Sequence, residues 1–135
     1  MQVYIEVSKG SNLKYEHDKK SGMCMLDRVL HNTQCFPYNY GYIPDTLSPD
    51  GDPLDVIVRC PYSLHPGTMV KVKVLGVIKA IDEAGEDDKI IAVPIDKCDP
   101  RSKHFNDVTD INETEIDEIK YFLKRYKDGE KGKFM

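Results

Sequence analysis

The run Met69-Val-Lys-Val-Lys-Val-Leu-Gly-Val-Ile-Lys-Ala-Ile81 alternates apolar and polar residues over most of its length. Period-two alternation marks a β-strand with one buried face. Gly76 interrupts the run and predicts a bend or bulge, because a glycine weakens the ladder where it sits. Shorter strand-like runs lie at 3–7, 13–16, 23–30, 55–59 and 89–93, and Lys19-Lys-Ser-Gly22 reads as a hairpin turn. Short, meandering strands with many turns predict a small antiparallel barrel.

The last third has a different period. Ile116, Ile119, Phe122, Leu123 and Tyr126 recur at helical spacing. Asn112-Glu-Thr-Glu115 resembles a capping box, with Asn112 as N-cap and Glu115 at the third helical position. Acids crowd the first turn and Lys/Arg the last, as the helix dipole prefers, and Gly129 is the expected stop. The apolar stripe is read as a face that packs on the barrel. A second short helix is expected from Asp99-Pro-Arg-Ser-Lys103.

Charge excludes some functions. Net charge is −4, so bulk positive charge cannot hold a nucleic acid. No apolar run approaches the roughly 20 residues of a membrane span. The N-terminus, Met1-Gln-Val-Tyr-Ile-Glu, lacks the basic and apolar regions of a secretory signal. Cys24, Cys35, Cys60 and Cys98 are scattered without metal-ligand spacing. They are read as packing residues of a protein in the reducing cytoplasm.

Two acidic knots stand out, Asp50-Gly-Asp-Pro-Leu-Asp55 and Asp82-Glu-Ala-Gly-Glu-Asp-Asp88, each at the end of an expected strand. Carboxylates this close repel unless cations or protons lie between them. All-oxygen donors point to Mg²⁺ or Mn²⁺. The same residues also form turns, so two solvated turns remain an equal reading of the spacing. A calcium EF-hand fails at the first knot. Its sixth loop position, counted from Asp50, would be Asp55 in place of Gly, and its twelfth Pro61 in place of Glu.

Basic and phenolic residues accompany the acids. Lys14 and Glu16 share one strand face, with Tyr15 on the other; Asp27-Arg28 follows on the next strand. Phe36-Pro-Tyr-Asn-Tyr-Gly-Tyr42 is rich in tyrosine, and Tyr126-Lys127 closes the helix. Taken singly, each is as readily a wall-packing tyrosine or a solvated lysine.

Taken together, they resemble a known family. Asp50-Gly-Asp-Pro-Leu-Asp-Val56 matches the signature of the family I soluble inorganic pyrophosphatases. Ile5-Glu-Val, Lys14-Tyr-Glu16, Ser21-Gly22, Asp27-Arg28, Pro37-Tyr-Asn-Tyr-Gly-Tyr-Ile43, Gly67, Asp82-Glu-Ala-Gly-Glu-Asp87, Lys89, Ala92-Val-Pro94 and Tyr126-Lys-Asp128 are similar to that family in order and spacing. The resemblance spans roughly residues 3–133.

It implies a mainly β (α+β) fold: a small, closed, five-stranded, OB-like β-barrel with outer helices, in one domain over 1–135. It implies hydrolysis of inorganic diphosphate to two phosphates with three or four Mg²⁺ per site, Mn²⁺ being a possible substitute. By similarity, Asp50, Asp55 and Asp87 hold the first metal, Asp55 touches the second, and Asp82 with Asp87 holds a third. Glu16 belongs with these metal-site acids and, like Glu6 and Glu83 of the outer shell, positions metal-bound water. Lys14, Arg28, Lys89, Tyr126 and Lys127 bind the phosphates. Tyr40 lies beside substrate and nucleophile, and Asp52 is the expected base. The resemblance also implies a homo-oligomer.

Elementary electrostatics agrees. An anionic substrate meets a net-negative protein, so divalent cations must separate them, and the planar fork of Arg28 suits two phosphate oxygens. Two metals about 3.5–4 Å apart can share a water and lower its pKa towards about 7. His17, His31, His65 and His104 fall outside every motif and are read as surface or packing residues.

Two departures from the family pattern appear. Phe36 stands where a tyrosine is usual, and the chain ends at Met135, soon after Lys131-Gly-Lys133, where relatives usually continue. The alternative expectation is therefore a catalytically impaired, pyrophosphatase-like binding or regulatory protein. An OB-type single-strand binder lacks its basic, aromatic-studded groove here.

Overall fold

The structure is a computed structural model. It describes residues 1–44, 46, 53–82 and 85–130, Asp82 by its backbone only. The strands are β1 (Gln2–Val7), β2 (Leu13–His17), β3 (Cys24–Val29), β4 (Asn39–Tyr42), β5 (Asp55–Val58), β6 (Met69–Ile78), β7 (Ile81–Asp82), β8 (Gly85–Glu86) and β9 (Lys89–Pro94). Short 3₁₀ turns at Pro100–His104 and Val108–Asp110 precede α1 (Glu113–Arg125). No described helix is long and apolar enough to cross a membrane.

Five strands close into a barrel in the order β1-β4-β5-β9-β6, while β2 and β3 form a separate two-stranded ribbon. The expected barrel is present, but it is not wholly antiparallel. β5 and β9 run parallel, with Asp55 beside Lys89 and Ile57 beside Ile91. Parallel neighbours need a long crossover, and here β6 to β8 provide it. The consequence is functional: both acidic knots lead into strand starts, and the parallel pairing sets those starts at one end of the barrel.

β4 was not expected as a strand. Gly41 explains its place: a Cβ there would lie 1.9 Å from the Tyr4 carbonyl oxygen, so only glycine lets β1 and β4 approach. The long alternating strand ends at Ile78 rather than Ile81, and Ile81 instead starts the short β7–β8 hairpin. The expected irregularity at Gly76 is observed as a register shift against β9 between Val74 and Gly76. A Cβ at Gly76 would meet Val108 at 2.9 Å.

Alternation divides the apolar residues into two layers. Val3, Ile5, Val56, Val58, Val70, Val72 and Ala92 form one cluster, which fills the barrel. Ile57, Ile91 and Val93 face the other way and pack with Phe36, Tyr38, Tyr40 and the α1 residues Ile119, Phe122 and Leu123. Asp55 and Lys89 have the parity of Ile57 and Ile91, so they continue this helix-facing layer at its open end.

Asn112 caps α1 as expected, accepting from the Thr114 N–H at 2.8 Å. Glu115 does not complete a capping box. It takes a bidentate pair with Arg59 at 2.8 and 2.9 Å, which a charged fork favours over one backbone N–H. The reciprocal box lies one turn earlier, between Asp107 and Asp110. The helix also ends before Gly129, with Tyr126 as C-cap. Gly129 has φ +90 and packs so closely that a Cβ would lie 2.7 Å from the His31 carbonyl.

Candidate active site

Lys89 is the hub. It opens β9, its side chain is 1% exposed, and its ammonium donates to Asp55 Oδ2 at 2.6 Å, Asp87 Oδ2 at 2.7 Å and the Tyr40 hydroxyl at 2.9 Å. Burial pushes the Lys89 ammonium down; Asp55 and Asp87 more than reverse this and hold it above its ordinary value. The group stays charged. An ammonium this deep is tolerable only because carboxylates and a hydroxyl replace its water.

Tyr40, on β4, is raised well above an ordinary phenol by burial and then by the Asp55 charge, with which it also hydrogen-bonds. Its hydroxyl keeps its proton while accepting from Lys89.

Glu6, on β1, joins the acids. Burial first, then Asp55 and Glu16, push its carboxyl up to about 7, although Lys14 pulls it down. Glu6 therefore lies within electrostatic reach of both Asp55 and Glu16. Glu16 itself is exposed on β2.

The cations Lys14 and Arg28 are direct cross-strand partners on the β2–β3 ribbon. Like charges in that relation destabilise a ribbon unless anions answer them. Arg28 is answered by Asp27 and, at 3.0 Å, by Glu130. Glu130 lies far along the chain with no motif spacing to reveal it, and sequence reasoning missed it. Tyr126 is buried at the end of α1, with its ring 5.9 Å from that of Phe36. The Lys127 ammonium lies 5.6 Å from the Tyr126 ring centroid.

Asp50, Asp52, Glu83 and the Asp82 carboxyl lie outside the described residues. Among the described residues, no group of three His, Cys, Asp or Glu converges to hold a metal. The described donors nonetheless fit a hard cation. They are all oxygen, and after burial, the first cause, Asp55 and Glu16 raise the Glu6 carboxyl while Lys14 lowers it. The His17 backbone hydrogen-bonds to Glu6. His17 stacks on Tyr4 and lies 3.0 Å from the Tyr42 hydroxyl.

Comparison with known proteins bears on the family and the fold. The family described as inorganic pyrophosphatase matches residues 3–135. An inorganic pyrophosphatase of Helicobacter pylori is 47% identical over 98% of this chain and 77% of its own length. One from Sulfolobus acidocaldarius is 44% identical over 100% of this chain and 78% of its own. A solved inorganic pyrophosphatase structure from Thermus thermophilus superposes with a TM-score of 0.93 at 43% identity, covering 99% of this chain and 77% of that one. The fold, the strand-start cluster and these similarities agree: the chain belongs to the inorganic pyrophosphatase family.

Proposed function

We propose that the chain, acting as one domain over 1–135, hydrolyses inorganic diphosphate to two phosphates with Mg²⁺ bound at its acidic cluster. Three or four ions per site are expected, with Mn²⁺ as a substitute. The observation that carries this reading is the parallel start of β5 and β9, where Asp55, Asp87, Lys89 and Tyr40 converge.

Asp50, Asp55, Asp82 and Asp87 are the residues that would hold the metal, with Glu6, Glu16 and Glu83 orienting its hydration. Bound magnesium would neutralise these acids and acidify a water. Lys14 and Arg28 bind phosphate oxygens from the ribbon, and Lys89, Tyr126 and Lys127 do so from the barrel and helix. Asp52 takes the proton of the attacking water at its carboxylate. The water oxygen forms a bond to one phosphorus, the bridging P–O bond breaks, and the bridging oxygen leaves with the second phosphate. Tyr40 holds its proton beside the reacting oxygens.

A homo-oligomer and a cytoplasmic location complete the proposal. Exposed apolar residues on β3 support the first, and free cysteines the second. A phosphate-release assay with diphosphate tests the activity. Release is expected with Mg²⁺ and none in excess EDTA; binding of diphosphate without release would favour the impaired binding protein.

A further inference from the structure

Tyr38 is 3% exposed, and its hydroxyl has no hydrogen-bond partner among the described residues. A phenylalanine would bury the same ring without stranding a polar oxygen. The hydroxyl is therefore better explained by a state in which it has a partner.

Its surroundings indicate which one. The Tyr38 ring meets Phe36 edge-on at 6.0 Å and Phe122 edge-on at 5.7 Å. Tyr126 packs on the same two rings, at 5.9 Å from Phe36 and 5.2 Å from Phe122. The Tyr40 ring is 6.2 Å from Tyr38. Three phenols thus share one aromatic wall beside the Asp55–Lys89 cluster.

We infer that Tyr38 is a positioning residue, whose O–H donates to the Tyr126 hydroxyl oxygen when Tyr126 donates its own proton to a bound phosphate oxygen. This rests on the reading of Tyr126 as a phosphate-binding group. No covalent bond breaks and each proton stays on its phenol. Burial first, then the neighbouring Tyr126 and the Asp55 charge, push the Tyr38 phenol well up, which keeps it a donor. Donation into Tyr126 polarises that hydroxyl and strengthens its hold on an anionic oxygen.

The test is diphosphate kinetics with Mg²⁺ for the native chain, Tyr38→Phe, Tyr126→Phe and the double variant. Tyr38→Phe is expected to raise KM about three- to tenfold, the weight of one hydrogen bond, with a smaller change in kcat. The double variant should match Tyr126→Phe alone, because a group acting through another has nothing left to act on. Ligand-free unfolding midpoints of Tyr38→Phe should equal or exceed the native one. A native KM in Tyr38→Phe, effects that multiply in the double variant, or a lowered midpoint would each overturn the inference alone. No phosphate release by the native chain would sink both it and the proposed function.

Discussion

Glu6 carries the clearest pH signature at the site. Its folded pKa is about 7, against an ordinary 4.5, with burial as the first cause. The folded chain therefore binds this proton more tightly than the unfolded one. Stability is unaffected by Glu6 below about pH 4.5 and falls as pH rises towards 7, by roughly 3 kcal/mol. In chelator, Glu6→Gln should gain about that much over the native chain at pH 8 and little at pH 4.5. Denaturant unfolding at the two pH values checks this; an equal difference at both would contradict it. Asp55, Asp87, Lys89 and Tyr40 were legible at this scale because motif order named them. Glu130 and Tyr38 were not. The Glu130–Arg28 pair is a long-range contact with no periodicity, and a tyrosine in an aromatic run reads as wall packing.

At the scale of elements, close backbone approach decides more than propensity. β4 exists where a Pro/Asn/Gly-rich stretch suggested none, since Gly41 lets it lie against β1 with no Cβ in the way. Gly41→Ala should cost about 3 kcal/mol or more, because the obstacle is backbone and cannot rotate aside. Gly22→Ala, with positive φ but open space around it, should cost only about 1–2 kcal/mol. Chemical denaturation of the two variants separates them, and equal losses would contradict the argument. Helix α1 was legible from its apolar period and Asn112 cap. Glu115 was misread, since capping geometry competes with a bidentate arginine that local sequence does not reveal.

For the whole molecule, strand existence was legible and strand direction was not. Alternation marks which face is buried, yet it is blind to whether neighbours run parallel, and the parallel β5–β9 pair is what sets Asp55 beside Lys89. The surface also bears on assembly. Met25, Leu26 and Val29 of β3 are 52%, 55% and 46% exposed, an apolar ribbon of the kind that partners cover. Sedimentation is expected to show a species larger than the 15.4 kDa chain; a monomer alone at micromolar concentration would argue against it.

The central claim is that Asp55 and its neighbours form a metal–diphosphate site. Its most direct test is phosphate release by the native chain, Asp55→Asn and Asp52→Asn across a Mg²⁺ titration. The native chain should be active. Asp55→Asn should lose activity together with Mg²⁺ affinity. Asp52→Asn should lose about 10²–10⁴-fold in kcat at nearly native Mg²⁺ dependence, with a smaller loss at high pH. Native activity and native Mg²⁺ dependence in Asp55→Asn would contradict the account.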